Sequence, residues 1–171
     1  MKKRGQVWVE TALYTLIALV LIGLVLSFVI PKIEEVQDRT IIGQSMNLIN
    51  DLNDIILEIS NIAGNKRVID IKIKKGTLKI DCNNDAIIFE MKSDYQYSEY
   101  DKDVEMGDIV SRTEKQGSLN VVTLTSDLSL YNITYNGRDE LKDISQSSSS
   151  YKLSIENKGG IDKTVIDIVV S

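Results

Sequence analysis

Residues 11–30, TALYTLIALVLIGLVLSFVI, form an uninterrupted run of uncharged and mostly apolar residues. A helix of this length spans about 30 Å, the thickness of the hydrocarbon core of a bilayer. Basic residues at positions 2–4 precede the run, so the positive-inside rule places the N-terminus in the cytoplasm and residues 32–171 outside. The run therefore predicts a single membrane-spanning helix that carries a larger polar segment.

The composition of the chain excludes several kinds of chemistry. Its 171 residues include no histidine, which removes Ser–His and Cys–His nucleophile pairs and every histidine-ligated metal site. The one cysteine, Cys82, allows neither an intrachain disulfide nor a thiolate metal cluster. The formal net charge of −5 disfavours nucleic acid as a partner, because phosphate binding needs a basic surface. We expect a structural protein with no enzymatic activity, no cofactor and no metal.

A second helical pattern follows Pro31. Because proline lacks a backbone N–H, we expect one long helix over about 6–62 with a kink near Pro31, and Gly64 is a candidate for its C-terminal cap. Apolar residues recur mostly at intervals of three or four, which predicts an amphipathic helix: Ile33, Val36, Ile42, Met46, Ile49, Leu52, Ile56, Ile59 and Ile62. The other face is predicted to be polar, with Glu34, Glu35, Asp38, Arg39, Asn47, Asn50, Asp51 and Asp54.

After Lys66 the hydrophobic period changes to two, which predicts strands. We expect a hairpin over 67–81, a third strand over 86–92, a hairpin of 118–125 and 128–135, and a last hairpin of 151–157 and 163–170 joined at Gly159-Gly160. The polar stretch 93–117 is predicted to be a long loop or irregular edge strands, and 146–150 an exposed loop. The elements together predict an α+β fold, in which a long N-terminal helix precedes an antiparallel β-sandwich-like head.

The N-terminal junction is the most informative part of the sequence. Gly5 stands before the apolar run, Glu10 stands inside it, and a basic cluster precedes both: Lys2, Lys3 and Arg4. A secretory signal peptide would have small residues after the apolar run, where residues 27–31 read SFVIP instead. A carboxylate in hydrocarbon costs about 2–3 kcal/mol, so Glu10 needs a partner. A cut between Gly5 and Gln6 would create an α-amino group one helical turn from Glu10.

This junction resembles the class III signal peptide of archaeal type IV pilins. That family has a short basic leader ending in Gly or Ala, commonly a glutamine next, a glutamate five positions into the mature chain, and a long apolar helix. Gln6 and Glu10 match the archaeal pattern Q-x-S-x-E-x-x-x-L, whereas Trp8 and Tyr14 replace its serine and its leucine. Bacterial pilins usually begin with an aromatic residue, so Gln6 is typical of the archaeal group.

The resemblance implies a division of the chain into four parts. A membrane-embedded prepilin peptidase would remove the leader by cutting between Gly5 and Gln6. The parts are a leader at 1–5, a transmembrane and filament-core helix at 6–30, its amphipathic continuation at 31–63, and an extracellular β-rich head at 64–171.

The resemblance also implies partners. An assembly ATPase and a membrane platform protein would extract the subunit from the membrane and polymerise it into a homopolymeric cell-surface filament, with Gln6 and Glu10 setting the register of the helices. Two alternatives stay open: a single-pass membrane-anchored β domain that does not polymerise, and an archaellum filament subunit. Adhesion and motility are both compatible with the sequence.

Three further features are candidates for packing, modification or cross-linking. Gly23 and Ser27 form a small-xxx-small pair, which lets helices approach closely. Asn132 begins the only N-x-[ST] sequon and is a candidate for N-glycosylation. Cys82 is expected to be a small apolar residue at a strand end, with an intersubunit disulfide as the alternative.

Two polar clusters have two interpretations each. The turn that follows the strand near residue 80 contains Asp81, Asn83, Asn84 and Asp85. Their oxygen atoms either bind calcium in a loose site or accept the hydrogen bonds of an ordinary turn. The acidic stretch contains three tyrosines, which either form an adhesive surface or simply flank a loop: Tyr95, Tyr97 and Tyr100.

Overall fold

The computed structural model describes residues 3–171, with side chains from Val7 onward. The chain divides into two compact units, of which the first ends at Gln37 and the second comprises Asp38–Ser171. One helix, α1 (Lys3–Ser60), begins in the first unit and ends in the second. The long N-terminal helix is therefore confirmed, and it continues as a helix through Pro31. The kink expected there stays a prediction.

Strands make up the rest of the second unit. In chain order they are β1 (Lys66–Ile71), β2 (Thr77–Asp81), β3 (Ala86–Ser93), β4 (Asp103–Met106), β5 (Ile109–Gln116), β6 (Leu119–Asp127), β7 (Asn132–Tyr135), β8 (Leu141–Ser145), β9 (Tyr151–Gly159) and β10 (Val165–Val170). The first sheet has the order β1–β9–β10–β7, and the second sheet has the order β4–β5–β6–β3–β2–β8. The neighbouring strands are antiparallel except β7 and β10, which run parallel.

One apolar core joins α1 to both sheets. Along β6 the side chains alternate between buried and half-buried, the period of two expected for a strand with one covered face. One apolar cluster contains inward residues of the second sheet, among them Phe89 and Leu124, and buried residues of the first sheet, among them Ile155 and Ile168. The predicted α+β fold with a sandwich-like head is thus confirmed, although the parallel pair β7–β10 makes the head only mostly antiparallel.

The part of α1 in the second unit presents one stripe of side chains to this core. Its fully buried apolar residues are Ile42, Ile49, Leu52, Ile56 and Ile59, and the same stripe includes Asp38 and Ser45. The spacing alternates between four and three residues, the seven-residue repeat of a helix that packs along one side. Each fully buried isoleucine or leucine contributes about 1.5–3 kcal/mol. Ile33, Val36 and Ile62 were predicted for the apolar face but are exposed.

Asp38 corrects the predicted polar face of the helix. Only 3% of its side chain is exposed, and its Oδ1 accepts a hydrogen bond from Lys75 Nζ at 2.5 Å. Its Oδ2 accepts a second one from the backbone N–H of Asp94 at 2.9 Å. Asp38 therefore ties the start of this part of α1 to the turn before β2 and to the segment after β3. A carboxylate is rarely buried without partners, and these partners lie far away in the sequence.

Two predicted strand pairings are wrong. The proposed hairpin over 67–81 contains β1 and β2, which lie in different sheets, because β1 pairs with β9 while β2 pairs with β3 and β8. The strand predicted over 128–135 is β7, which does not pair with β6 but with β10 of the other sheet. Alternating burial marks a strand but does not identify its partner.

Other differences concern stretches with weak apolar patterns. The stretch 93–117 contains β4 at a sheet edge and a regular inner strand, β5. The buried face of β5 carries Ser111 and Thr113, which hides the apolar alternation. The sequence pattern also misses β8. The hairpin of β9 and β10 and the loop over 146–150 are confirmed.

Candidate functional site

The predicted processing junction lies at the beginning of α1. Lys3, Arg4, Gly5 and Gln6 belong to the first turn of the helix, whereas Lys2 lies outside the described residues. The predicted cleavage site therefore lies in the first helical turn that the structure describes.

Glu10 lies one helical turn beyond Gln6 and is exposed. Its carboxylate makes no hydrogen bond or ion pair with any side chain that the structure describes. Its hydroxyl neighbours, in contrast, are satisfied locally, since Thr11 Oγ1 donates to the carbonyl of Val7 at 2.9 Å and Thr15 Oγ1 to that of Thr11 at 2.8 Å. The acidic group predicted to pair during assembly is thus open to an outside partner.

The apolar segment of α1 is exposed along its whole length. All residues from Val7 to Ile30 are exposed in the single chain, including Trp8 and Phe28 at 74% each. By length and composition α1 is able to cross a membrane. In hydrocarbon only a helix or a closed barrel satisfies all its backbone groups, and this segment is helical. The segment therefore needs lipid or other apolar helices around it.

The small residues Gly23 and Ser27 form a shallow depression on the surface of α1. A side chain added at Gly23 would meet no atom within 4 Å, and Ser27 Oγ donates to the carbonyl of Leu24 at 2.7 Å. The hydroxyl of Ser27 is thereby satisfied within the helix. The pair is free to contact a neighbouring helix, as predicted from its spacing.

The sequon at Asn132 is only partly accessible. Asn132 is half-buried at the start of the edge strand β7. Thr134 of the same sequon is buried, and its Oγ1 donates to Asp167 Oδ1 at 2.9 Å. The first sheet therefore covers the sequon hydroxyl, so glycan attachment would have to precede the pairing of β7 with β10.

Turn hydrogen bonds occupy the oxygen-rich segment after β2. Asp81 Oδ1 accepts hydrogen bonds from the backbone N–H groups of Asn83 and Asn84, and its Oδ2 accepts one from Asn84 Nδ2 at 2.8 Å. Asp85 Oδ1 accepts one from the N–H of Ile133 at 2.8 Å. Of the two interpretations offered for this turn, the geometry favours turn chemistry over calcium. Within residues 3–171 no group of three acidic or cysteine side chains is placed to hold a metal ion.

Cys82 is a core residue. It follows β2 directly, is 4% exposed, and burial raises the pKa of its thiol. A thiol in this position has no access to a second chain while the head is folded. The interpretation as a small apolar residue is favoured over an intersubunit disulfide.

The three tyrosines hold the 94–102 loop against the head. Tyr97 OH donates to Met46 Sδ at 3.6 Å, and burial raises the pKa of this phenol. Tyr100 OH donates to Asn120 Oδ1 at 3.0 Å. The Tyr95 ring lies 5.7 Å from the Arg39 guanidinium and packs against the apolar core. These contacts favour the loop interpretation over an adhesive surface.

Asn157 is a structural residue that the sequence analysis did not single out. It is 1% exposed, and its Nδ2 donates to the carbonyls of Ile59 and Ser60 at 2.9 Å each. These carbonyls belong to the last turn of α1, where helix carbonyls lack regular partners within the helix, and the Ile59 carbonyl also accepts a bond from the N–H of Ile62 at 3.4 Å. The alternation of residues along β9 could have indicated its burial, because Leu153, Ile155 and Asn157 are two residues apart and lie on the same buried face.

Comparison of the chain with known protein families, with characterised proteins and with solved structures gives no match to any of the three.

Proposed function

We propose that this chain is the structural subunit of an archaeal type IV pilus-like surface filament, cleaved by a prepilin peptidase and polymerised through α1. The observation that carries the proposal is the junction Gly5-Gln6 with Glu10, placed directly before an apolar helix that is exposed from Val7 to Ile30 in the single chain. A folded polar head follows the same helix.

The exposed helix supports assembly because it suits two environments in turn. Before assembly, lipid surrounds its apolar side chains and its backbone is satisfied internally. After assembly, the same side chains pack against other copies of the helix, with Gly23 and Ser27 allowing close approach. The head remains in water in both states, because most of its apolar side chains are buried in one core.

Glu10 and the leader support the cleavage step. Removal of residues 1–5 takes away Lys2, Lys3 and Arg4, and with three positive charges fewer the formal net charge changes from −5 to −8. These charges would otherwise hold the N-terminus at the cytoplasmic face. The new α-amino group of Gln6 offers Glu10 the cationic partner that it lacks among the described side chains, in its own chain or in a neighbour.

The proposal includes partners and a location. The precursor is a single-pass membrane protein with a cytoplasmic N-terminus, and the mature subunit belongs to an extracellular filament with a role such as adhesion. Besides further copies of itself, it requires the peptidase, an assembly ATPase and a membrane platform protein. A catalytic activity is not part of the proposal.

N-terminal analysis of the protein from its native host tests the cleavage step. We expect a mature chain that begins at Gln6, and we expect Gly5→Val to retain the leader. Gly23→Val, also in α1, is the matched control and should be processed normally. A wild-type chain that keeps residues 1–5 would contradict the proposal and favour a plain membrane anchor.

Glu10→Ala tests the assembly step. We expect normal membrane insertion and normal leader removal but at least about tenfold fewer filaments, because the pair that sets the register is missing. Glu34→Ala, another exposed carboxylate of α1, should assemble as the wild type does. Wild-type filament yield from Glu10→Ala would rule out the register role.

A further inference from the structure

An apolar groove lies between α1 and the free edge of β1. Its floor is formed by Leu48 and Ile55 of α1 and by Ile69 of β1, all partly buried. β1 is the outermost strand of the first sheet, so its second edge pairs with no strand there. The groove has a volume of about 410 Å³, enough for a large aliphatic side chain.

The rim of this groove is negatively charged. Asp51, Asp54 and Asp70 line it, and all three are exposed. Within the described part of the chain, none of the three carboxylates makes a hydrogen bond or an ion pair. An apolar floor with an unneutralised acidic rim fits an aliphatic side chain that has cations beside it.

The turn between β9 and β10 carries such a side chain. Ile161 is fully exposed, at 104%, more than any other large apolar side chain described. Lys158 and Lys163 lie on either side of it in the turn, each with 47% of the side chain exposed, and among the described residues they form ion pairs with Glu156 at 2.7 Å and with Asp85 at 3.6 Å. Asp162, also exposed, follows Ile161 directly, so lysines outnumber acids by one within residues 158–163. We call residues 158–163 the knob.

The knob is held in place by the rest of the head. The N–H of Gly159 donates to Asn157 Oδ1 at 2.7 Å, and the Asn157 side chain is itself fixed on the end of α1. At Gly160 the turn is so tight that a Cβ would lie 1.8 Å from the carbonyl oxygen of Lys163. A side chain on a rigid turn loses little freedom when it binds.

We propose that the knob of one subunit inserts Ile161 into the groove of a second copy of this chain, with Lys158 and Lys163 beside the acidic rim. The inference rests on the proposed function and names a contact between heads within the filament. The knob and the groove are different surfaces, so the contact is heterologous. Contacts of this kind generate rings where the rotation between copies closes and open helical assemblies where it does not, and a filament requires the second case.

Cysteine cross-linking in sheared filaments tests the contact directly. The Asp162→Cys, Asp54→Cys double variant keeps Ile161 and should form a ladder of covalent oligomers upon mild oxidation, because each subunit is linked to the next. Leu130→Cys with Asp54→Cys is the matched control, since Leu130 is 83% exposed but lies in another loop, and it should stay monomeric. The single variants measure any contribution of the buried Cys82.

A charge placed in the knob tests its importance. Ile161→Asp should lower the yield of filaments at least about tenfold, because the groove is already acidic, while Leu130→Asp should leave the yield unchanged. Absence of the cross-linked ladder, or a wild-type yield from Ile161→Asp, would overturn the contact while the filament proposal stands. Absence of filaments from the wild-type chain would instead overturn the proposed function.

Discussion

The Asp38 carboxylate lies 2.5 Å from the Lys75 ammonium, with 3% of the Asp38 side chain and 38% of the Lys75 side chain exposed. Asp38 is the first residue of the second unit, and its other oxygen accepts the backbone N–H of Asp94. One side chain thereby joins three segments that are distant in sequence. The pair is partly open to water on the lysine side, so its stabilising effect lies mostly in the satisfied carboxylate.

Asp38→Ala should lower the free energy of unfolding of the head by about 2–4 kcal/mol, because it leaves the Asp94 N–H and the Lys75 ammonium without their acceptor. Urea unfolding of the full chain in detergent, followed by near-UV circular dichroism of the tyrosines, measures the loss. Asp54→Ala removes an exposed carboxylate without a described partner and should change stability by less than about 0.5 kcal/mol. Equal midpoints for both variants would contradict the anchoring role of Asp38.

Asn157→Ala should cost about 2–3 kcal/mol, because the Ser60 carbonyl and the N–H of Gly159 lose the Asn157 side chain as partner, and the Ile59 carbonyl keeps only the 3.4 Å bond from the N–H of Ile62. Asn157→Asp keeps an acceptor for Gly159 but places a negative charge at the negative end of the helix. We expect it to be at least as destabilising at neutral pH and less so at acidic pH, where the carboxyl is protonated. Thermal unfolding at two pH values distinguishes this from a simple loss of packing.

Two glycines should respond in opposite directions to alanine. Gly160→Ala should destabilise the head by about 1–3 kcal/mol, because the added Cβ meets the Lys163 carbonyl and the turn must rearrange. Gly43→Ala adds a methyl group in α1 where no atom lies within 4 Å. It should stabilise the helix by about 0.5–1 kcal/mol. The same unfolding assay measures both, and a stabilising Gly160→Ala would show that the turn is not held as described.

Cys82 should react slowly with a thiol reagent in the folded chain and rapidly in denaturant. Burial blocks access and raises the pKa of the thiol, so the thiolate fraction at pH 8 is smaller than in the unfolded chain. The native rate should begin to rise only at a more alkaline pH than the denatured rate. Asp54→Cys supplies an exposed cysteine in the same chain for comparison, and equal rates at the two positions would contradict the burial of Cys82.

The helix was readable from the sequence because its signals are local. The apolar run and the recurring isoleucines determine α1 through hydrophobic spacing alone, and the buried stripe from Ile42 to Ile59 was largely predicted. Asp38 was assigned to the wrong face although it shares the seven-residue phase of Ser45 and Leu52. The burial of Asp38 depends on its bonds with Lys75 and with the backbone of Asp94. Partners so distant in the sequence cannot be inferred from the helical spacing of apolar residues.

Strand partners could not be read in the same way. The turn signal Lys75-Gly76 suggested a hairpin, yet β1 and β2 separate into different sheets. Likewise β5 was hidden because its inner face carries Ser111 and Thr113. The junction residues of the candidate site came from a sequence pattern, whereas the knob and the groove depend on the exposure of Ile161 and on the position of β1 beside α1, which only the folded chain provides.

The pairings of the first sheet also determine the order in which the head is completed. β1 pairs only with β9, and β7 pairs only with β10, so no strand of this sheet has a partner before residues 151–170 arrive. The strands of the second sheet all lie before residue 146 and are able to pair earlier. A chain that folds in the order of its synthesis would therefore leave β1 unpaired until β9 follows and β7 unpaired until β10 follows. Loss of β10 alone would leave β7 without its partner strand and β9 paired only with β1, and such unpaired strand edges favour aggregation.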